Sequence, residues 1–446
     1  MTSLRTVFIV IVGVILNVNY ANSFLSQTKS NLNVSHGVYV NVKECFQPSS
    51  TRSILNHGSF HTLSYTMNNI YKKKNATFLF LGGSITAHLR YYEDFVQILK
   101  NDSELKITTH NFGHGGPGPG YTLYCEQFQE SRPDVVFIDY GVNEEPPSTH
   151  FEALIRKTLA IDSEHPPLIF IVNFINSVNK LCGESPNFLD LAVYYNLVFV
   201  DFCAIVNHCF QDWQEYTQDG VHPSKSGVGI ITAELVNSWK YLKKLGEDHK
   251  ITHRAMNDIT KLDHFYSDSK SLGRVYDFMF CDTVLNIESN SSTSHFLQPT
   301  NRSYGFEVIT RVSGYRGFES VKRCWEAKRP DSNITFQFYG KEVSVAVYQH
   351  PRFMGIFDAC LDIDTSVNCI RNITSYFEGY PWHSTGGRQI IYPLFKNLDS
   401  DSLHSITFLT TRYVGNPQYP GHNMNVIALL YSSQSSGLRA SDSHRG

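Results

Sequence analysis

Five short apolar runs mark the first half of the chain: ATFLFLGG, ITTHNFG, DVVFIDYG, LIFIVNFI and LVFVDFC. Each is rich in β-branched or aromatic residues, and none alternates strictly between apolar and polar positions. That is the pattern of strands covered on both faces. Between the runs lie amphipathic segments such as YYEDFVQILK and FEALIRKTLA, and GVGIITAELVNSWKYLKKL closes the series. Strands alternating with helices predict an α/β unit built on a parallel, doubly wound sheet of five strands.

Beyond the polar stretch GEDHKITHR the texture changes. The runs VYDFMFC, YGFEVITRV, ITFQFYG, EVSVAVYQ, GIFDACLDID, RQIIYPLF, HSITFLTT and NVIALLY are all of β type, punctuated by Gly, Pro, Asn and Asp. No helical period intervenes, so a β-sandwich, jelly-roll-like in character, is expected. The α/β domain is placed at 75–245, a linker at 246–261 and the sandwich at 262–432. Residues 24–74 read as an N-terminal extension, and the polar tail 433–446 reads as disordered.

Composition agrees with two domains: 446 residues, 41% hydrophobic, supply enough apolar surface for two cores. The formal charge of −3 leaves no excess of Lys or Arg to neutralise a phosphate backbone, so no nucleic-acid partner is expected. The first residues place one Arg before an apolar run from Val7 to Leu16, followed by small and polar residues. This is the layout of a signal peptide over 1–23, cleaved after Ala21 or Ser23. The run is shorter than the roughly 20 residues that span a bilayer. The reading is therefore a secreted protein without stable membrane insertion; the alternatives are a signal anchor or retention in the secretory lumen. Sequons at Asn33, Asn75, Asn101, Asn290, Asn301, Asn333 and Asn372 fit that route. So do nine cysteines, which in an oxidising compartment leave at least one unpaired. Cys203 with Cys209 and Cys360 with Cys369 are plausible bridges, and no CxxC spacing suggests a metal or redox site.

Ligands of an open α/β sheet bind beyond the carboxyl ends of its strands, and four such ends carry chemistry here. The first strand ends in GGSIT. Ser84 there is either a hydroxyl held toward solvent by a tight turn or a helix cap. The second ends in NFGHGGPGPG, which lacks the Lys-Ser/Thr ending of a phosphate loop and the GxGxxG spacing. It is either a source of backbone N–H groups for an anion or a flexible loop. The third ends in DYGVNEE, where Asn143 offers an amide to a developing negative charge or satisfies a turn. Glu144 and Glu145 are adjacent and point in different directions, so they do not form a glycosidase pair. The last loop contains DGVHPSKSG, in which Asp219 can fold back on His222 as an orienting carboxylate does on a general base. The same Asp-x-x-His spacing recurs at Asp162 with His165 and at Asp401 with His404. Only Asp219 and His222 fall at the carboxyl edge of the sheet.

GGSIT, NFGHGG, GVN and DGVH stand in the order of the four sequence blocks of the SGNH (GDSL-like) hydrolases, each at the end of the corresponding strand, and on these residues the chain resembles that family. The resemblance implies a flavodoxin-like three-layer domain that needs no cofactor and no metal. It implies Ser84 as nucleophile, His222 as general base and then acid, and Asp219 as the group orienting the imidazole. It also implies an oxyanion hole made of the Ser84 N–H, the Gly116 N–H and the Asn143 amide. Gly116 lies five positions after Asn111, with Gly115 as the neighbouring choice. Two departures, GGS in place of GDS and GVNE in place of GxND, remove no group the chemistry needs but mark a divergent branch.

His88, His114 and His150 lie near these loops without a metal-ligand spacing, and His114 is a candidate to line an acyl pocket. Cys125 reads as structural. Tyr348, His350 and Trp382 in the second domain either stack on sugar rings or belong to its core. Secretion and the attached sandwich resemble carbohydrate esterases, so the expected activity is removal of acetyl or other short acyl groups from a carbohydrate. The alternatives are a lipid or small-ester hydrolase, an O-acetyltransferase with the same triad, and a lectin-like scaffold without catalysis.

Overall fold

The computed structural model describes residues 54–432 apart from 90, 116–117, 142–148, 163, 175–185, 203–215, 218–221, 249–264, 266–278, 284–296, 316–317, 351, 363–367, 377–387, 416 and 419. The expected signal peptide, the polar tail, Gly116, Asn143, Asp219, Trp382 and the Cys203–Cys209 bridge lie outside the described residues.

The five apolar runs form β2 (Asn75–Gly82), β3 (Lys106–Gly113), β4 (Val135–Asp139), β5 (Leu168–Asn173) and β6 (Val198–Asp201). All four neighbouring pairs are parallel, in the order β3-β2-β4-β5-β6. This is the doubly wound order whose switch point falls beside the first strand of the motif, here β2. A sixth strand, β1 (Ile54–His57), adds to the β6 edge in antiparallel sense. Helix α1 (Phe60–Lys73) follows it and packs Leu63, Met67 and Ile70 against the sheet. Part of the stretch read as an N-terminal extension is thus integral to this layer. The apolar positions of α1 are diluted by Ser, Thr and Asn, which hides the helix in the sequence.

Alternation along the strands divides the side chains between two cores. One face carries Phe78, Phe80, Phe137 and Phe170; it packs under α1, α3 (Tyr91–Ser103) and α7 (Lys225–Asp248), which contribute Phe95, Leu235 and Trp239. The other face carries Leu79, Leu81, Val136, Ile138, Ile169 and Ile171. It is covered by α4 (Pro119–Cys125), α5 (Thr149–Leu159) and α6 (Pro186–Tyr194). Phe137 stands at the centre, its ring centroid 4.8 Å from Phe80 and 4.8 Å from Phe170. A remaining short helix, α2 (Ser84–His88), follows β2 at the carboxyl edge.

The second domain is a sandwich of antiparallel sheets. β10 (Asn333–Tyr339), β15 (Leu403–Val414), β12 (Gly355–Leu361) and β13 (Asn368–Thr374) form one, in that order. The other runs β14 (Arg388–Phe395), β11 (Glu342–Gln349), β16 (Met424–Ser432), β9 (Phe318–Ala327) and β8 (Phe306–Tyr315), with β7 (Met279–Thr283) also paired to β16. Val345 and Val347 of β11 point between the sheets with Phe336, Phe357 and Phe408. Ala346 and Tyr348 point the other way, toward α4 of the first domain. β16 is therefore buried along its length on both faces, which explains why NVIALLY is continuously apolar within an antiparallel sheet. Cys360 and Cys369 are bonded across β12 and β13 as anticipated, while Cys125 joins Cys281 of β7. Cys324 of β9 is buried. Among the described residues no helix is long and apolar enough to cross a membrane.

Candidate active site

The carboxyl edge of the sheet positions the candidate residues. β2 ends at Gly82, and Ser84 is the first residue of α2 after Gly83. The Gly83 N–H donates to the Asp139 carbonyl at 3.0 Å and its own carbonyl accepts from the Ala87 N–H at 2.9 Å, so the turn is fixed from both sides. Only glycine fits at position 82, because a Cβ there would lie 2.3 Å from Thr86 Oγ1 and 2.9 Å from the Asp139 carbonyl oxygen. The N–H groups of the first helical turn have no intrahelical acceptor and offer partial positive charge at the helix start.

His222 approaches from the loop before α7. That loop is closed by an antiparallel bridge between Thr217 and Pro223 and by the Ser224 N–H donating to the Tyr216 carbonyl at 2.5 Å. Ser224 then caps α7, its Oγ accepting from the Gly227 N–H at 3.1 Å. With both ends of the turn held, His222 Nε2 stands 2.8 Å from Ser84 Oγ. In the tautomer with Nδ1 protonated, Nε2 accepts the serine hydroxyl proton, which is the contact a general base makes with a nucleophile. Residues 84 and 222 are brought together although 138 positions separate them.

The decoy pairs are used otherwise. Asp162 Oδ1 accepts from the His165 N–H at 2.9 Å, a local turn, and the His165 ring lies against Tyr65. His404 bonds not to Asp401 but to Asp362, through Nδ1 at 2.9 Å, and to the Asp399 carbonyl through Nε2 at 2.8 Å. His114 bonds to Glu126 at 2.7 Å and sets its ring edge against Tyr121. His150 packs against Tyr124, and burial lowers its pKa from 6.5 to about 4. Among the described residues no three His, Cys, Asp or Glu side chains gather as metal ligands would. Cys125 is in a disulfide, as a structural reading requires. Tyr348 is 8% exposed and belongs to the contact between the domains, so of its two readings the structure takes the core one.

Sequence reading missed Asp139. It is the last residue of β4 and fully buried, and its Oδ2 accepts from Thr86 Oγ1 at 2.8 Å beneath α2. Thr86 Oγ1 lies in turn 3.2 Å from the Tyr91 hydroxyl. Burial pushes the Asp139 carboxyl well above the usual carboxylate range, against the opposing effect of the Thr86 bond. A lone acid within the apolar run DVVFIDYG was the available signal. Only the packing shows that it ties the helix that begins with Ser84 to the neighbouring strand.

The architecture can be compared with solved structures. A two-domain esterase active on acetylated mannans matches at a TM-score of 0.58 and 17% identity, over 86% of this chain and 99% of its own. A two-domain esterase active on acetylated mannans, co-crystallised with mannopentaose, gives 0.57 at 17% identity, over 87% of this chain and 99% of its own. The chain shares the two-domain fold of that esterase. A lipase/acylhydrolase from Enterococcus faecalis, covered completely, aligns with 40% of the chain at 15% identity and a TM-score of 0.31. By sequence, the chain matches no family model and no curated protein. The match extends over nearly the whole of the two-domain mannan-active esterase, so the likeness includes both domains.

Proposed function

We propose that the protein is a secreted serine ester hydrolase that removes acetyl or other short acyl groups from a carbohydrate. The observation that carries this reading is the 2.8 Å contact between His222 Nε2 and Ser84 Oγ at the carboxyl edge of the sheet. His222 takes the hydroxyl proton as Ser84 Oγ attacks the ester carbonyl. The tetrahedral intermediate then expels the alcohol, which receives the proton from His222, and leaves an acyl ester on Ser84. Water activated by the same imidazole releases the acid and restores the serine.

Asp219 is assigned to hold the other ring nitrogen of His222. The oxyanion hole is assigned to the Ser84 N–H, the Gly116 N–H and the Asn143 side chain; a donor of this kind is worth about 3 kcal/mol in the transition state. The start of α2 supports the first of these donors, since the Ser84 N–H has no intrahelical acceptor. No step calls for a cofactor. The carbohydrate substrate is supported by the likeness, over nearly the whole length of both chains, to an esterase active on acetylated mannans.

The test has two parts. Ser84→Ala and His222→Ala should each abolish hydrolysis of p-nitrophenyl acetate in a protein that remains folded, and undiminished turnover in either variant sinks the mechanism. The substrate class is read by comparing acetate release from an acetylated mannan with fatty-acid release from a lysolipid. A preference for the lysolipid overturns the carbohydrate assignment.

A further inference from the structure

Helix α4 is short for the number of ties it carries. Six of its seven residues are buried. One side belongs to its own domain: Thr122 Oγ1 lies 2.5 Å from the Tyr140 hydroxyl, and Lys157 Nζ donates to the Leu123 carbonyl at 2.5 Å. The other side belongs to the sandwich. The Tyr121 hydroxyl stands 3.1 Å from Thr283 Oγ1, and the Thr283 hydroxyl donates onward to the Ile427 carbonyl at 3.4 Å. One turn further along, Cys125 is bonded to Cys281 of the same strand, β7. Gly120 leaves room for the opposing β14, since a Cβ there would lie 3.1 Å from Ile391 Cδ1.

This helix is the rear anchor of the loop that follows β3. The front anchor is the nucleophile's own support. Gly113 abuts α2 so closely that a Cβ on it would lie 2.7 Å from the Ala87 nitrogen, and the His114 N–H donates to the Gly82 carbonyl at 3.0 Å. His114 therefore stands between the base of α2 and a helix bolted onto the second domain. His114, inside the loop, is held by Glu126 beyond the far end of α4 and rests on Tyr121.

We propose that Tyr121, Thr283 and the Cys125–Cys281 bridge are positioning residues: through them the β-sandwich braces His114, whose N–H holds the Gly82 carbonyl beside Ser84, and so takes part in the chemistry of even the smallest ester. This rests on the reading of Ser84 as nucleophile. A sandwich that served solely to hold a polymer would alter KM for the polymer and leave the turnover of a small ester untouched.

The experiment uses the full chain and p-nitrophenyl acetate, with kcat and KM measured separately. Thr283→Val keeps the side-chain shape and removes the hydroxyl, and should lower kcat about 3- to 10-fold at constant KM. The Cys125→Ala/Cys281→Ala double variant should lower it about 10- to 100-fold, as a loosened catalytic constellation does. Thr283→Ser, which restores the hydroxyl, should recover wild-type kcat. The Cys360→Ala/Cys369→Ala variant removes a bridge in the far sheet and should leave kcat unchanged. Wild-type kcat in both Thr283→Val and the Cys125/Cys281 variant overturns the brace, as does an equal loss in the far-sheet control. Thr283→Val carries the test if the cysteine variant loses its fold. Labelling of Ser84 by a fluorophosphonate in the wild-type protein separates the two ideas: label with unchanged variant kcat refutes the brace alone, and no label refutes the esterase reading and the brace together.

Discussion

Gly82→Ala is the sharpest small perturbation the structure offers. The added methyl would sit 2.3 Å from Thr86 Oγ1, 2.6 Å from Thr86 Cβ and 2.9 Å from the Asp139 carbonyl oxygen. Relief to an ordinary contact requires a displacement on the order of 1 Å, and Thr86 cannot swing away because its hydroxyl is bonded to the buried Asp139. The movable body is α2, which begins with Ser84. A 1 Å shift would stretch the 2.8 Å contact with His222 past hydrogen-bond range. A misplacement of that size costs about 100-fold in rate, and the overpacking costs about 1–3 kcal/mol in stability. The assay is kcat for p-nitrophenyl acetate, paired with urea unfolding. Gly229→Ala is the matched control: this glycine is exposed on α7 with nothing within 4 Å of the added methyl, so the same change should stabilise by about 0.5–1 kcal/mol and leave kcat alone. A folded Gly82→Ala protein with wild-type kcat would refute the claim that α2 sets the position of Ser84 for the proposed reaction.

Three further outcomes are expected. Phe137→Ala removes the ring shared by Phe80 and Phe170 at the sheet centre and should cost about 3–5 kcal/mol in urea unfolding; a loss under 1 kcal/mol would show that this core is not close-packed. His150 is lowered from 6.5 to about 4 by burial, so its contribution is fully present above 6.5 and is lost as pH falls toward 4. A tenfold change in proton affinity is about 1.4 kcal/mol. Wild-type stability should therefore drop by up to about 3 kcal/mol more than that of His150→Phe across this window, and parallel profiles would contradict the burial. Asp139 has the opposite sign: its raised proton affinity stabilises the fold fully below 3.8, and the contribution is lost as pH rises through the folded-state value. Asp139→Asn, which keeps an acceptor for Thr86 and has no proton to lose, should flatten that decline. A wild-type profile no steeper than the variant's would mean the carboxyl is not desolvated.

Much of the fold was legible because both-face burial writes itself into the residues. Runs such as FLFL in β2 and VVFI in β4 are long enough to bury a strand and too unbroken for a one-sided surface. Glycines and polar residues at their carboxyl ends announced where loops must turn and carry chemistry. The elements that escaped notice lack that contrast. β9, FESVKRCWEA, and β13, NCIRNIT, interleave charged and polar residues with their apolar ones. α1 spreads its three buried apolar anchors among hydroxyl and amide side chains. Each is recruited by neighbours it cannot name: β9 by pairing with β8 and β16, β13 by β12, and α1 by the Phe-rich face of the sheet.

The sequence by itself determined the layers, their order and the residue types at the strand ends, because periodicity and turn chemistry are local properties. Proximity is not local. That His222 meets Ser84 while His404 turns to Asp362 was decided by which strand ends share an edge. That the acid of DVVFIDYG lies beneath the helix of Ser84 followed from parallel register, which sets Gly82 beside Asp139. That Cys125 reaches Cys281, 156 positions away, followed from how the outer face of the sandwich seats on α4. A chain specifies these encounters only through the packing of every side chain between them, and for that reason they appear in the tertiary structure and not in any segment read alone.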